Sequence, residues 1–381
     1  MIPYSRQYVP KKDFKLVKNV LNSNFLTQGP IVKKFEKKIS EYTNSKYALA
    51  LNSATSALHV ACLALGLRKG DFLWTSSISF VASANCGMYC GASIDLVDID
   101  KNTFNISVND LKKKLKKAKL KKKLPKILVV VHLGGNPCEL KEIKQLSVKY
   151  NFKIIEDASH AIGSKYKNSK IGSCKYSDIT VFSFHPVKIM TTGEGGVITT
   201  NSKELARKST LFREHGIVRD EKYFISKKKK LETHYEQQVL GFNYRMNEIS
   251  ASLGLGQIKW INRFVHRRNK IHNFYKKSFL SLPINFQKVN KDCLSSFHLT
   301  IILVPKKIRN TLFSELRKKR YLVNIHYIPI FEQPFYKKNF LKKNFVNSMN
   351  YYDSAISIPN YYQLSQIHQK RIIKIIKRFL K

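Results

Sequence analysis

Three apolar runs within residues 153–200 decide how the chain folds: Lys153-Ile-Ile-Glu-Asp157, Asp178-Ile-Thr-Val-Phe-Ser183 and Gly196-Val-Ile-Thr-Thr200. Each is short and rich in β-branched residues, and none shows the strict polar alternation of a half-solvated strand. They therefore read as strands buried on both faces. Working outward, Tyr47-Ala-Leu-Ala-Leu51 and Lys126-Ile-Leu-Val-Val-Val131 are of the same kind. Helical patterns separate them, at 58–65 with Gly66 suited to its C-terminal cap, and at 139–150. Strands alternating with helices indicate an α/β fold, a mainly parallel sheet covered by helices on both faces. The character changes near residue 250. Residues 249–275 read as one helix, followed by a strand at 298–304, a helix at 308–319, a short strand at 324–327 and a basic amphipathic helix at 365–381. The expected division is a large domain over 1–250 and a smaller C-terminal α+β domain over 251–381.

Composition narrows the function. The 381 residues hold 69 Lys+Arg against 25 Asp+Glu, a net charge of +44. With 43% apolar and 12% aromatic residues, the chain is no disordered polycation. Such a charge first suggests nucleic acid or an anionic membrane. However, lysines outnumber arginines 55 to 14 and are spread along the chain, whereas a nucleic-acid reader favours the guanidinium fork. The excess therefore reads as a solvated lysine surface. The stretch 112–123 is an ordinary surface helix, with Leu111, Leu115 and Ala118 on one face. Lys227–Lys230 reads as a solvated face or an anion-attracting patch. The start has no apolar signal region. Residues 72–94 carry no charge and are long enough to span a membrane, but Thr75, Ser76, Ser77, Ser79, Ser83, Asn85 and Ser93 argue for burial in protein. Cys62, Cys86, Cys90, Cys138, Cys174 and Cys293 show no metal-ligand spacing, and no metal or disulfide framework is expected. The expected compartment is the reducing cytoplasm.

Four segments carry chemistry. In Phe182-Ser-Phe-His-Pro-Val-Lys-Ile-Met-Thr-Thr-Gly-Glu-Gly-Gly196, Lys188 follows an apolar strand and leads into a glycine-rich turn. A lysine in apolar surroundings loses basicity and becomes an amine nucleophile; the alternative is a surface lysine beside a turn. In Asn52-Ser-Ala-Thr-Ser-Ala57, small residues open a helix and make an anion seat at Ser53, Ala54 and Thr55, or merely cap it. Asp157 closes a buried strand where open α/β sheets bind ligands, or caps the next helix. Phe80 lies in a loop where an aromatic ring either covers a planar ligand or packs in the core. One explanation joins the four, a pyridoxal 5′-phosphate site. Lys188 then takes the aldehyde carbon, Asp157 keeps the pyridine nitrogen protonated, Phe80 covers one face, and Ala54, Thr55 and Ser183 hold the phosphate.

These residues resemble the DegT/DnrJ/EryC1/StrS family of sugar-nucleotide aminotransferases, a fold-type I group, over essentially the whole chain. The resemblance implies that Lys188 forms the Schiff base and that Asp157 pairs with the pyridine nitrogen. His160 matches a position above the ring. Asn243, in Gly241-Phe-Asn-Tyr-Arg-Met-Asn-Glu248, matches a residue that reaches the neighbouring subunit's phosphate, which implies a homodimer with shared sites. Relatives with His at the lysine position are dehydratases, so Lys188 implies transamination, with L-glutamate as donor and 2-oxoglutarate as by-product. Ile2-Pro-Tyr-Ser-Arg-Gln7, Ser23-Asn-Phe-Leu-Thr-Gln-Gly-Pro30 and Asn324-Ile-His-Tyr-Ile-Pro329 are similar to the branch that aminates a UDP-linked 4-keto sugar for pseudaminic acid. Perosamine, bacillosamine and 3-keto types are the alternatives. The implied substrate residues are Tyr4, Asn24, Phe25, Leu26, Thr27, Ala54, Ser183, Asn243, Asn324, Ile325, His326 and Tyr327. Gly134-Gly135 stands where relatives often carry a bulkier pair, so it is expected to alter the wall of the sugar pocket.

Overall fold

The computed structural model describes residues 1–226 and 231–380. Its centre is a seven-stranded sheet built from β1 (Tyr47–Leu51), β2 (Phe72–Ser76), β3 (Ser93–Val97), β4 (Ile127–Val131), β5 (Lys153–Asp157), β6 (Ile179–Ser183) and β7 (Gly196–Thr200), in the order β1-β7-β6-β5-β4-β2-β3. Alternate side chains of each strand enter opposite cores. Leu128, Val130, Ile154, Phe182 and Val197 pack on one face, and Ile127, Val129, Ile155, Val181 and Ile198 on the other. Helix α1 (Ala54–Ala64) and helix α2 (Ala82–Tyr89) cover the second face. Helix α3 (Val108–Leu120) and helix α4 (Leu140–Tyr150) cover the first, where Leu111, Leu115 and Ala118 are buried as their spacing requires. The uncharged run 72–94 is β2, a loop, α2 and the first residues of β3. Among the described residues, no helix is long and apolar enough to cross a membrane.

Three expectations change. The run Gly196–Thr200 does not extend the parallel series but pairs antiparallel with both β1 and β6, because the link from Ser183 to Gly196 is a loop without a crossover helix. The helix expected over 249–275 is two, α5 (Glu248–Ile258) and α6 (Ile261–Ser278). Apolar periodicity runs across the break and hides it. Trp260 sits there, stacked on Phe264 and edge-on to Tyr8 and Tyr362, so aromatic packing sets the bend. Residue 250 accordingly lies inside a helix, and α6 starts in the sheet's core with Ile261, Phe264 and Val265 and ends in a second core with Ile271 and Tyr275. Asn324–Tyr327 is not a strand. Only Asn324 makes a bridge, to Ser357, after which His326 turns inward to bond Ser357 Oγ at 2.8 Å. Lys227–Lys230 lies outside the described residues.

The second core is α+β: Thr300–Leu303 pairs antiparallel with Asn285–Phe286 and Ala355–Ile358, packed by α7 (Lys306–Lys318) and α8 (Gln366–Leu380). The N-terminal Ile2–Pro3 joins this part, parallel to Tyr321–Leu322. That pairing carries Tyr4 and Ser5 across to the loop holding Lys188, where Ser5 Oγ donates to Val187 O at 2.6 Å.

Candidate active site

The carboxyl ends of β4, β5 and β6 open into a cavity of about 490 Å³, within the range of small-ligand sites. Tyr4, Ser53, Ala54, Thr55, Phe80, Asp157, His160, Ser183, Lys188, Asn324, His326 and Tyr327 all line it. Residues from both ends of the chain therefore meet in one place, because open α/β sheets bring loops together beyond their strand ends.

Lys188 stands on a loop stitched to itself. Its N–H donates to His185 O at 2.9 Å, Phe184 N–H to Gly195 O at 2.9 Å, and Thr192 N–H to Phe184 O at 3.0 Å, while Ile189 and Met190 anchor the loop in the core. Burial pushes the Lys188 ammonium down to about 8, and the Asp157 carboxylate pulls the other way. About a tenth of the side chain is thus free amine at neutral pH, far more than for an exposed lysine, as an amine nucleophile or proton carrier requires.

Asp157 is 5% exposed. Its carboxylate accepts from Ser83 Oγ at 2.6 Å and from the Ser159 N–H at 3.1 Å, and Ser83 is within 2.7 Å of Ser79 Oγ. No helix starts directly after Asp157, so it caps none, and it faces the cavity. Phe80 is 56% exposed at the rim, 5.9 Å from the Tyr327 ring, so it is not a core residue.

At the head of α1, Ser53 is both cap and cradle. Its side chain accepts from Ser56 N–H, and the Ser56 side chain accepts from Ser53 N–H. The N–H groups of Ala54 and Thr55 at the first turn have no partner within the helix, as helix starts leave them, and both residues line the cavity. Gly196 makes this approach possible. A Cβ there would meet Ala54 N at 2.6 Å and collide with the Ser53 backbone.

His160 lines the cavity and is itself 4% exposed. Gly134 N–H donates to its Nδ1 at 3.2 Å, its Nε2 lies 3.0 Å from Tyr327 Oη, and its ring is 4.4 Å from that of His298. Burial, helped by the Lys188 charge, holds its pKa well below the usual range. His326, 4.6 Å from the Tyr4 ring, is pushed down to about 3 for the same reasons. The Gly134-Gly135 pair does not form the pocket wall. Both glycines are buried with φ of +68° and +91°, and a Cβ on Gly135 would run into Ser296 Oγ and lie 2.8 Å from His160 O. They allow the second core to close against the back of His160.

Some residues implied by the resemblance lie elsewhere. Among the described residues, Asn24, Phe25, Leu26, Thr27, Ile325 and Asn243 do not line this cavity. Glu248 ties two of these segments together. Its N–H donates to Leu26 O at 3.0 Å, and its carboxylate accepts from the Gly29, Ile31 and Val32 N–H groups. Phe25 and Leu26 are 54% and 50% exposed. Sequence reasoning missed Ser79 and Ser83, which orient Asp157, although both sit in the serine-rich uncharged run beside Phe80. It also missed His298, for which no local motif exists.

A pyridoxal phosphate fits these residues. The free N–H groups of Ala54 and Thr55, with Ser183 Oγ beside them, suit a phosphate. The buried Asp157 carboxylate suits a protonated ring nitrogen, and Lys188 shares the same cavity. Among the described residues, no group of three or more His, Cys, Asp or Glu is placed to hold a metal ion.

Fold and site together define a pyridoxal phosphate-dependent sugar aminotransferase, and known proteins agree. The chain belongs to the DegT/DnrJ/EryC1/StrS aminotransferase family, which it matches over residues 7–377. It is 38% identical over 371 residues to the UDP-4-amino-4,6-dideoxy-N-acetyl-beta-L-altrosamine transaminase of Campylobacter jejuni serotype O:23/36, covering 96% of this chain and 94% of that protein. Helicobacter pylori PseC, an aminotransferase involved in the biosynthesis of pseudaminic acid, superposes with a TM-score of 0.89 at 32% identity, covering 100% and 99% of the two chains. The PLP form of the sugar aminotransferase Spr1654 from Streptococcus pneumoniae superposes with a TM-score of 0.89 at 27% identity, covering 100% of both chains.

Proposed function

We propose that this enzyme moves an amino group from L-glutamate to C4 of a UDP-linked 4-keto-6-deoxy-N-acetylhexosamine, an amination on the way to pseudaminic acid. The carrying observation is the near full-length 38% identity to the Campylobacter jejuni transaminase. When bound, pyridoxal phosphate supplies an aldehyde that condenses with amines and a protonated ring that draws electrons from the adjacent carbon. Asp157 holds the proton on the ring nitrogen. Lys188 Nζ, buried and poor in protons, would supply the amine that holds the cofactor's aldehyde end and would serve as the proton carrier beside it. The Ala54 and Thr55 N–H groups and Ser183 Oγ hold the phosphate, and Phe80 and His160 confine the ring. Because Lys188 approaches from one side, it delivers the proton to one face and sets the configuration of the new amine.

Tyr4, Asn324, His326 and Tyr327 then face the sugar. The segment Asn24–Thr27 and Asn243 serve the partner's site in a homodimer. Their position outside their own cavity, and the exposed Phe25 and Leu26, support this reading. The enzyme works in the cytoplasm, where its six free cysteines stay reduced.

Incubation with glutamate and a panel of keto sugar nucleotides tests the proposal. The UDP-linked 4-keto sugar is expected to be converted with the highest kcat/KM. Preference for a GDP-linked or a 3-keto substrate overturns the assignment.

A further inference from the structure

The bond between His160 and Tyr327 has a direction. Gly134 N–H already donates to His160 Nδ1, so that nitrogen carries no proton. A neutral imidazole with a bare Nδ1 carries its hydrogen on Nε2, and Nε2 lies 3.0 Å from Tyr327 Oη. His160 is therefore the donor and Tyr327 Oη the acceptor. The low pKa of His160 agrees with a neutral ring. The phenolic proton of Tyr327 must then point elsewhere. Among the described residues Tyr327 makes no second hydrogen bond, and it lines the cavity with its ring 5.9 Å from that of Phe80. Burial, with the Asp157 carboxylate nearby, keeps the phenol from ionising, so it remains a donor.

We propose that His160 is a positioning residue that locks Tyr327 as a one-way hydrogen-bond donor toward an acceptor oxygen of the keto sugar. This rests on reading the cavity as a keto-sugar site. The lock begins at the backbone. Gly134 takes φ of +68° to aim its N–H at the ring, and Gly135 leaves room for the Ser296 side chain that bonds His160 O at 2.7 Å. A pocket built this way discriminates strongly. It rejects a substrate without an acceptor at that point, because the phenol would be left unsatisfied.

A double-mutant cycle on the cofactor-loaded enzyme tests the lock. Tyr327→Phe is expected to raise KM for the sugar nucleotide about tenfold, the loss of one buried hydrogen bond. His160→Phe should do the same by freeing the phenol to turn. Combined with Tyr327→Phe it should add nothing further to KM. His160→Gln, whose amide offers one acceptor and one donor at similar spacing, should restore most of the affinity, whereas His160→Leu should not. Cofactor affinity, read by absorbance titration of each variant, separates a sugar effect from a lost cofactor. The lock is overturned if Tyr327→Phe leaves KM unchanged, or if His160→Phe raises KM as much in the Tyr327→Phe background as alone. Failure of the wild type to accept any UDP-linked 4-keto sugar would instead strike the proposed function.

Discussion

Lys188 and Asp157 form a pair in which burial and charge oppose each other. Burial lowers the lysine to about 8, and the carboxylate raises it. Only the unprotonated amine condenses with an aldehyde, so pyridoxal phosphate uptake by the apoprotein should quicken as pH rises, with a midpoint near 8. Stopped-flow absorbance between about pH 6 and 10 gives the curve. Asp157→Asn removes the group that favours the ammonium, so its midpoint should move to lower pH. Movement the other way would show that the two do not interact as described. Lys188→Ala should lose transamination by at least about 10³-fold, because nucleophile and proton carrier go together. Borohydride reduction in the presence of cofactor should add its mass to the Lys188 peptide in the parent alone.

At the scale of elements, the proposed phosphate seat is a contact between a strand and a helix start. The Gly196 backbone at the head of β7 lies against Ser53 and Ala54, and a Cβ would meet Ala54 N at 2.6 Å. Backbone cannot swing aside as a flexible side chain does. Gly196→Ala should therefore cost about 1–3 kcal/mol of stability and push α1 away from its seat. Thermal melting of the apoprotein should show the first effect, and a weaker cofactor titration, by about tenfold, the second. Gly193 makes the contrast. Its φ is +79° but nothing lies within 4 Å of its missing Cβ. Gly193→Ala should cost about 1 kcal/mol in strain and leave cofactor affinity near the parent's. Equal losses of cofactor at both positions would refute the seat.

For the whole molecule, the proposed sharing of sites between subunits is tested by subunit mixing. A Lys188→Ala chain and an Asn243→Ala chain, each inactive alone, should regain about a quarter of parental activity when unfolded and refolded together, since half the dimers then hold one intact site. No recovery would show that Asn243 serves its own cavity. The +44 charge belongs to this scale too. Cofactor and sugar nucleotide are both anionic, and the Debye length shrinks from about 30 Å at 0.01 M salt to about 8 Å at 0.15 M. The kcat/KM for the sugar nucleotide should fall across that range. A flat response would leave the lysines as solvated surface alone.

The sheet was legible in the sequence because strands such as Ile127–Val131 and Ile179–Ser183 sit between two cores, and only uninterrupted apolar runs satisfy both. Lys188, Asp157 and Ser183 were legible because each ends or follows such a run, where topology alone opens a cleft. Continuous periodicity hid the break at Trp260, and nothing local marked Gly196–Thr200 as antiparallel. The sequence by itself determined the sheet's strands, the lysine and its carboxylate. Only the tertiary structure decided that Gly134 N–H fixes the tautomer of His160, that Tyr4 crosses from the far end of the chain to the pocket, and that Asn24–Thr27 and Asn243 stand outside it. Those are relations between distant segments, and local propensity holds no record of them.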